Sequence, residues 1–305
     1  MRIKEITIQE IIDFLGKHVL IIYGPKNGHI DNLADSIHTN ESSLDWVNAT
    51  KDNKQIIVEK SPAKVILVDI TVNYSEVLEQ QNKTLIVVDN PKIALAKIGN
   101  AFFSDLKVPG IHSSCVVDPN CELAEDISVG PFSFIGKAKI GKGTIIGSNV
   151  RIYDDVKIGN HCRIKDGAVI GGEGFGFERD ENGNLFRFPQ IGDVLIGDHV
   201  EIGANTCIDR GALSTTKIGD YTKINNLCHI AHNNVIGKNV VIAAEVNISG
   251  GNMIEDDCWI APSASIRGYI HVGKGSTIGM GAVVVKDIPE GEVWAGNPAR
   301  MLRDK

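Results

Sequence analysis

IGDYTKINNLCHIAHNNVIGKNVVIAAEVNISGGNMIEDDCWIAPSASIRGYIHVGKGSTIGMGAVV, residues 218–284, decides the fold. Ile218, Ile224, Ile230, Ile236, Ile242, Ile248, Ile254, Ile260, Ile266, Val272, Ile278 and Val284 recur at a strict spacing of six. An α-helix has a period of 3.6 and a strand a period of 2, so neither produces this pattern. A six-residue repeat led by an aliphatic, often followed by Gly, predicts a parallel β-helix. Three hexads make one triangular coil, coils stack at strand spacing, and the aliphatics form one continuous inward column.

The register runs upstream as well. Val117, Leu123, Val129 and Ile135 are six apart, one five-residue step leads to Ile140, and Ile146, Ile152, Ile158, Ile164 and Ile170 follow. Ile196, Ile202 and Ile208 continue it after a gap. Two breaks stand out: GGEGFGFERDENGNLFRFPQIGDVL at 171–195, and DRGALSTTK at 209–217, where ten residues separate aliphatics instead of six. A solenoid extrudes its insertions as loops, often on its binding face.

Residues 1–107 carry no hexads. IQEIIDFLGK reads as an amphipathic helix, VLIIYG, AKVILVDI and TLIVVD as strands, and NPKIALAKIGNAFF as a helix opened by Asn90 and Pro91. Strands alternating with helices predict a small α/β domain. The expected organisation is therefore an α/β domain over 1–107, a β-helix over 108–288 with VPG at 108–110 as the junction, and a tail from Pro289.

The 305 residues are 43% hydrophobic, enough for two domains, with a net charge of −7. No Lys/Arg-rich run marks a nucleic-acid partner. Six cysteines are scattered with no C-x-x-C pair, as expected of small wall residues in a reducing cytoplasm. MRIKEITIQEIIDFLG alternates charged and apolar groups and reads as neither a signal peptide nor a membrane span.

Of nine histidines, His229 and His232 flank the inward Ile230 in NNLCHIAHNNVIG. His232, two positions past the aliphatic, belongs at a corner of the triangle and projects outward. Such a histidine is either an ordinary surface residue or a general base. Asn233 and Asn234 suit a left-handed turn. His161 and His199 read as surface residues in hexad turns. Asp209 either orients a neighbouring base or caps its own turn. No carboxylate or thiol completes a metal site with His229 and His232, so no metal is expected. GGEGFGF at 171–177 lacks the following GK[ST] and the helix of a phosphate loop and reads as a tight solenoid loop.

IGANTCIDRGALSTTKIGDYTKINNLCHIAHNNVIG resembles the core of the UDP-3-O-acylglucosamine N-acyltransferases of lipid A biosynthesis. GGEGFGF, FPQIG, IDRGAL and IAHN carry the resemblance. LDWVNA and TLIVVDNPKIALAKI extend it, more faintly, to a nucleotide-binding N-terminal domain. It covers nearly the whole chain to about residue 284. It implies a homotrimer of left-handed parallel β-helices in the cytoplasm that moves a 3-hydroxyacyl group from acyl carrier protein to the glucosamine 2-amine. The co-substrate is the thioester, with no bound cofactor. The histidine of IAHN, His232, is implied as general base. An amine attacking a thioester must lose a proton, and a neutral imidazole, ordinarily of pKa about 6.5, is suited to take it. By analogy with hexapeptide acyltransferases, a backbone N–H near Gly250, one coil above His232, is expected at the oxyanion.

The resemblance also places the acceptor pocket at Trp46, which would stack on uridine, with Asn48, Phe175, Phe177, Asp209, Asn225, His229 and Tyr269. Here the chain departs from the family pattern. Asn225 stands where the family has Asp, His229 where it has Gln, Tyr269 where it has a second His, and Asp52 where it has the Tyr partner of Trp46. The ending, AGNPARMLRDK, replaces a helical tail that touches the carrier protein. GNPAR resembles instead the CoA-dependent sugar acetyltransferases, in which the last coil and tail meet the donor; Lys286 and Arg300 are then either contacts to CoA phosphates or ordinary solvated charges. Two enzymatic alternatives follow: carrier-dependent N-acylation of a UDP-glucosamine, or CoA-dependent N-acylation of another nucleotide-linked amino sugar. A catalytically silent, nucleotide-sugar-binding β-helix is the third.

Overall fold

The computed structural model describes residues 5–34, 37–104 and 108–305; of the expected first domain, residues 105–107 just before VPG lie outside the described residues. The chain divides into two compact units, Met1–Leu106 and Lys107–Lys305.

In the first unit, helix Ile8–Leu15 opens with a capping box in which the Thr7 and Glu10 side chains satisfy each other's backbone N–H. A five-stranded sheet runs in the order Val19–Tyr23, Thr84–Val88, Val65–Val68, Ser43–Trp46, Asn32–Leu33. The first pair is antiparallel and the others are parallel. The expected helix at 90–103 is Pro91–Ile98, capped by the Asn90 side chain and continued as a π turn. Two short helices, Lys54–Lys60 and Glu76–Gln80, were not legible as amphipathic patterns. Lys54–Lys60 ends on Lys83, whose buried ammonium donates to the carbonyls of Val58, Glu59 and Ser61.

The second unit is a parallel β-solenoid whose walls are three sheets of eight, eleven and nine strands. Most strands pair with the strand eighteen residues on, as Ile230 with Ile248 and Ile248 with Ile266. The five-residue step shortens one coil, so that Leu123 pairs with Ile140. The hexad aliphatics fill the bore, and from Ile135 to Val284 those on the walls are essentially inaccessible to water. Cys162, Cys228 and Cys258 fill small interior positions, each thiol meeting a carbonyl of the adjoining coil; burial pushes the Cys258 thiol up to about 11.

The corners follow an equally regular rule. The third residue after the aliphatic repeatedly takes a left-handed conformation, as at Tyr221, Leu227, Asn233, Asn239, Glu245 and Asp257, with φ between 55° and 62°. An L-residue there costs roughly 1–2 kcal/mol, which the wall hydrogen bonds on both sides of each corner offset. Histidines 161 and 199 are two such corners and, with Tyr221, stack as a ring column at centroid spacings of 5.1 and 4.7 Å.

The two breaks are insertions between coils. Ile158 pairs with Ile196, 38 residues on, and Ile196 with Ile218, 22 residues on. The first insertion carries its own antiparallel hairpin, Phe177–Arg179 with Leu185–Arg187. GGEGFGF begins on the last two residues of strand Val169–Gly172 and opens no helix. The tail leaves the six-residue register at Pro289 yet stays on the wall. Glu292–Ala295 pairs in parallel with Thr277–Ile278, and Arg300–Asp304 folds back antiparallel as the edge strand. Among the described residues, no helix is long and apolar enough to cross a membrane.

Candidate active site

His232 follows strand His229–Ile230 and immediately precedes the left-handed corner at Asn233, so the backbone turns its side chain out of the wall. The corner is pinned from inside. Asn234 is fully buried, and its Nδ2 donates to the carbonyls of Ala231 and Ser249 while its Oδ1 accepts from the Asn252 N–H. Of the two asparagines read as turn residues, only Asn233 turns the chain; Asn234 is an interior strut.

The imidazole lies between two glycine backbones. A Cβ on Gly250 would fall 2.6 Å from Cε1 and 2.9 Å from Nε2. A Cβ on Gly174, in the first insertion, would fall 3.0 Å from Cδ2. Both positions admit only glycine without displacing the ring. The Gly251 N–H donates to the His232 carbonyl, whereas the Gly250 N–H has no acceptor among the described residues.

The second insertion fixes the other edge of the ring. His232 Nδ1 is 2.8 Å from Asn233 Oδ1. That oxygen also accepts the Ala212 N–H at 3.0 Å, and Asn233 Nδ2 donates to Ser214 Oγ. The amide is therefore oriented with its oxygen toward the ring. Nδ1 must be the donor, and the neutral imidazole carries its lone pair on Nε2. Nε2 has no partner among the described residues. The two insertions are joined as well: Ile191 N–H donates to Ala212 O, and Arg210 braces the root of the long loop through Gly171 O and Asp154 O, each at 2.8 Å.

Asp209 neither caps its turn nor orients His232. It pairs with His229 Nε2 at 3.0 Å, from a carboxylate 14% exposed to an imidazole 44% exposed. The hydrogen bond to Asp209, reinforced by its charge and opposed by burial, holds the His229 pKa above the ordinary histidine value. Asn225 is exposed on a different corner, where its Oδ1 accepts the Asn226 N–H, and it does not touch His232. Tyr269 is 83% exposed and lies over Gly251, in the corner column of Asn233. Phe175, 84% exposed, meets Phe177 edge-on at 5.0 Å, and Arg187 covers the Phe177 ring. Lys286 and Arg300 are exposed on the last coil and tail.

In the first unit, Trp46 is half-buried against the Ile8, Ile11 and Leu44 core, and Asn48 Oδ1 closes a turn onto Thr50. Among the described residues, no three His, Cys, Asp or Glu side chains gather as metal ligands do. Asn233, Ala212, Ser214, Gly174 and Gln190 belong to the site and escaped the sequence argument. The only available signal was position: Asn233 in IAHN, Ala212 in IDRGAL with Ser214 just after it, Gly174 in GGEGFGF and Gln190 in FPQIG.

Residues 137–172 match the family model Bacterial transferase hexapeptide (six repeats). The chain is 47% identical over 147 residues to a UDP-3-O-acylglucosamine N-acyltransferase of Methylobacterium nodulans; the match covers 48% of this chain and 42% of that protein. It thus spans less than half the length of that relative. UDP-3-O-acylglucosamine N-acyltransferase 1 of Francisella tularensis subsp. holarctica is 37% identical over 291 residues, 85% of this chain and 83% of that one. Among solved structures, the UDP-N-acetylglucosamine O-acyltransferase of Moraxella catarrhalis superposes with a TM-score of 0.57 at 28% identity, over 64% of this chain and 74% of its own. The Francisella novicida UDP-N-acetylglucosamine acyltransferase gives 0.59 at 26%, over 64% and 71%. With hexapeptide coils throughout the second unit and a 37% identical relative matched along most of both lengths, the chain belongs to the UDP-3-O-acylglucosamine N-acyltransferase family.

Proposed function

We propose that the protein transfers an acyl group from a thioester to the 2-amine of UDP-3-O-acylglucosamine, with His232 as general base. The observation that carries this reading is the free Nε2 of an imidazole whose Nδ1–H is committed to Asn233. The amine nitrogen attacks the thioester carbonyl, and Nε2 takes its proton as the tetrahedral oxyanion forms. The unpartnered Gly250 N–H beside the ring is suited to hold that oxyanion. Collapse breaks the C–S bond, and the imidazolium returns the proton to the departing thiolate. Positioned proton transfer of this kind contributes roughly 10²–10⁴ in rate. The half-exposed His229, with its partner Asp209, lines the acceptor side. The exposed Phe175, Leu185, Phe186, Ile191 and Leu213 on the two insertions favour a partner copy against this face, and hence a homotrimer.

A second reading concerns the donor. The tail is a two-stranded hairpin on the last coil, not a helix, and it presents Arg300 beside a coil that carries Lys286. That makes CoA an alternative donor to a carrier protein and admits a different nucleotide-linked amino sugar. One assay separates these cases: thiol release with UDP-3-O-acylglucosamine and 3-hydroxyacyl carrier protein, and with a UDP-amino sugar and acetyl-CoA. Turnover in the first arm is expected. Turnover only in the second assigns the CoA-dependent reaction, and none in either leaves a binding protein.

A further inference from the structure

Gln190 ends the long insertion and is only 7% exposed, yet its Oε1 is buried with no hydrogen-bond partner. Its Nε2 has a single long contact, 3.4 Å to Phe188 O. A buried acceptor left unpaired forfeits its hydration and destabilises the fold, so nearly all such groups are satisfied. The location of this one is informative. The point where a Gly174 Cβ would sit is 2.7 Å from Gln190 Oε1 and 3.0 Å from His232 Cδ2. Placed end to end, those distances put the oxygen within 5.7 Å of the imidazole, separated from it by a residue with no side chain. Gly176, two residues on, would place a Cβ 3.0 Å from Gln190 Nε2. The cover over this oxygen is thus a strip of backbone with glycines on both sides of Phe175, free of the Cβ atoms that would hold it in place.

We propose that Gln190 Oε1 is an acceptor reserved for an N–H of the primary amine that His232 deprotonates, and that the 174–176 strip yields when the amine enters. This rests on the acyltransferase reading above. An attacking amine has more than one N–H. His232 Nε2 takes one, and a second acceptor on the neighbouring insertion fixes the nitrogen so that its lone pair meets the carbonyl. The amide product keeps a single N–H, so the two-acceptor arrangement favours the amine over the amide and helps product leave.

Gln190→Leu tests this in the full chain, because it removes the oxygen while keeping most of the volume. A reserved acceptor predicts a thermal midpoint equal to or above wild type, with kcat/KM for the amine substrate lower by about tenfold or more. The binding preference for a UDP-glucosamine over its N-acetylated counterpart, measured by calorimetry, shrinks in parallel. Gln190→Glu, which keeps an acceptor at the same reach, retains more activity than Gln190→Leu. Activity within twofold of wild type in Gln190→Leu would overturn the proposal and leave the oxygen a packing defect. A midpoint that falls with activity would overturn it too, making Gln190 a structural prop. If wild type transfers no acyl group, the acyltransferase reading fails, and the calorimetric preference still decides for or against an amine acceptor at Gln190.

Discussion

The uninterrupted coils at 218–284 and the interrupted ones at 170–218 are built on one six-residue rule and differ in what they do with it. In the uninterrupted coils each hexad spends its aliphatic on the bore and its corner residue on a left-handed turn. In the interrupted coils the insertions return over the wall and reach a corner that belongs to the regular part. The long one lays Gly174 against His232, and the short one delivers the Ala212 N–H and Ser214 Oγ to Asn233. A repeat supplies a rigid edge, and the departures from it supply the groups that aim a side chain on that edge.

This division makes opposite demands on substitutions in the two regions. The largest effect is expected at the corner. His232→Ala should lower kcat by roughly 10²–10⁴ and leave KM for the sugar within a few-fold, with His229→Ala costing much less. Full activity in His232→Ala with loss in His229→Ala would move the base to the other side of Ile230.

A substitution in the uninterrupted wall should do the reverse. Ile260 is fully buried in the bore. Ile260→Ala should cost about 2–5 kcal/mol of stability, read from denaturant unfolding, while the folded variant keeps its kcat. A large loss of kcat without loss of stability would mean that the regular coils also shape the site.

The smallest effect belongs to the pair that flanks the corner. The Asp209 hydrogen bond raises the folded-state pKa of His229. A raised histidine pKa stabilises the fold in full below about pH 6.5, where the free imidazole titrates, and the contribution is lost as pH rises through the folded value. The midpoint of wild type should therefore exceed that of His229→Gln most at pH 5.5–6, and the gap should close in alkaline buffer. With the imidazole half-exposed, the gap should be on the order of one or two degrees. A gap that widened with pH would contradict the pairing.

The bore, the coil period and the positions of both insertions were legible because they depend on side-chain type at fixed spacing. The corner at 233 was legible for the same reason. The partner of Asp209 was not, because the 22-residue register that carries strand Cys207–Asp209 beneath His229–Ile230 follows from how the short insertion is accommodated. Asn225, seven residues before His232, lies one full wall away on a different corner, a placement that follows from the six-residue period. Ala212 acts through its backbone N–H and Gly174 through the absence of a Cβ, and neither leaves a chemical signature in a sequence. Gln190 carried no signal of its own, because its orphaned oxygen exists only once the loop has folded over it.

The second insertion, through Asn233, fixes which nitrogen of His232 is free. Nitrogen-15 NMR of the histidine rings, recorded where His232 is neutral, reads this directly. Wild type should show a protonated Nδ1 and a bare Nε2, with that preference lost in Asn233→Leu. A neutral ring protonated on Nε2 in wild type would contradict it, since an imidazole so arranged has no lone pair to offer the amine.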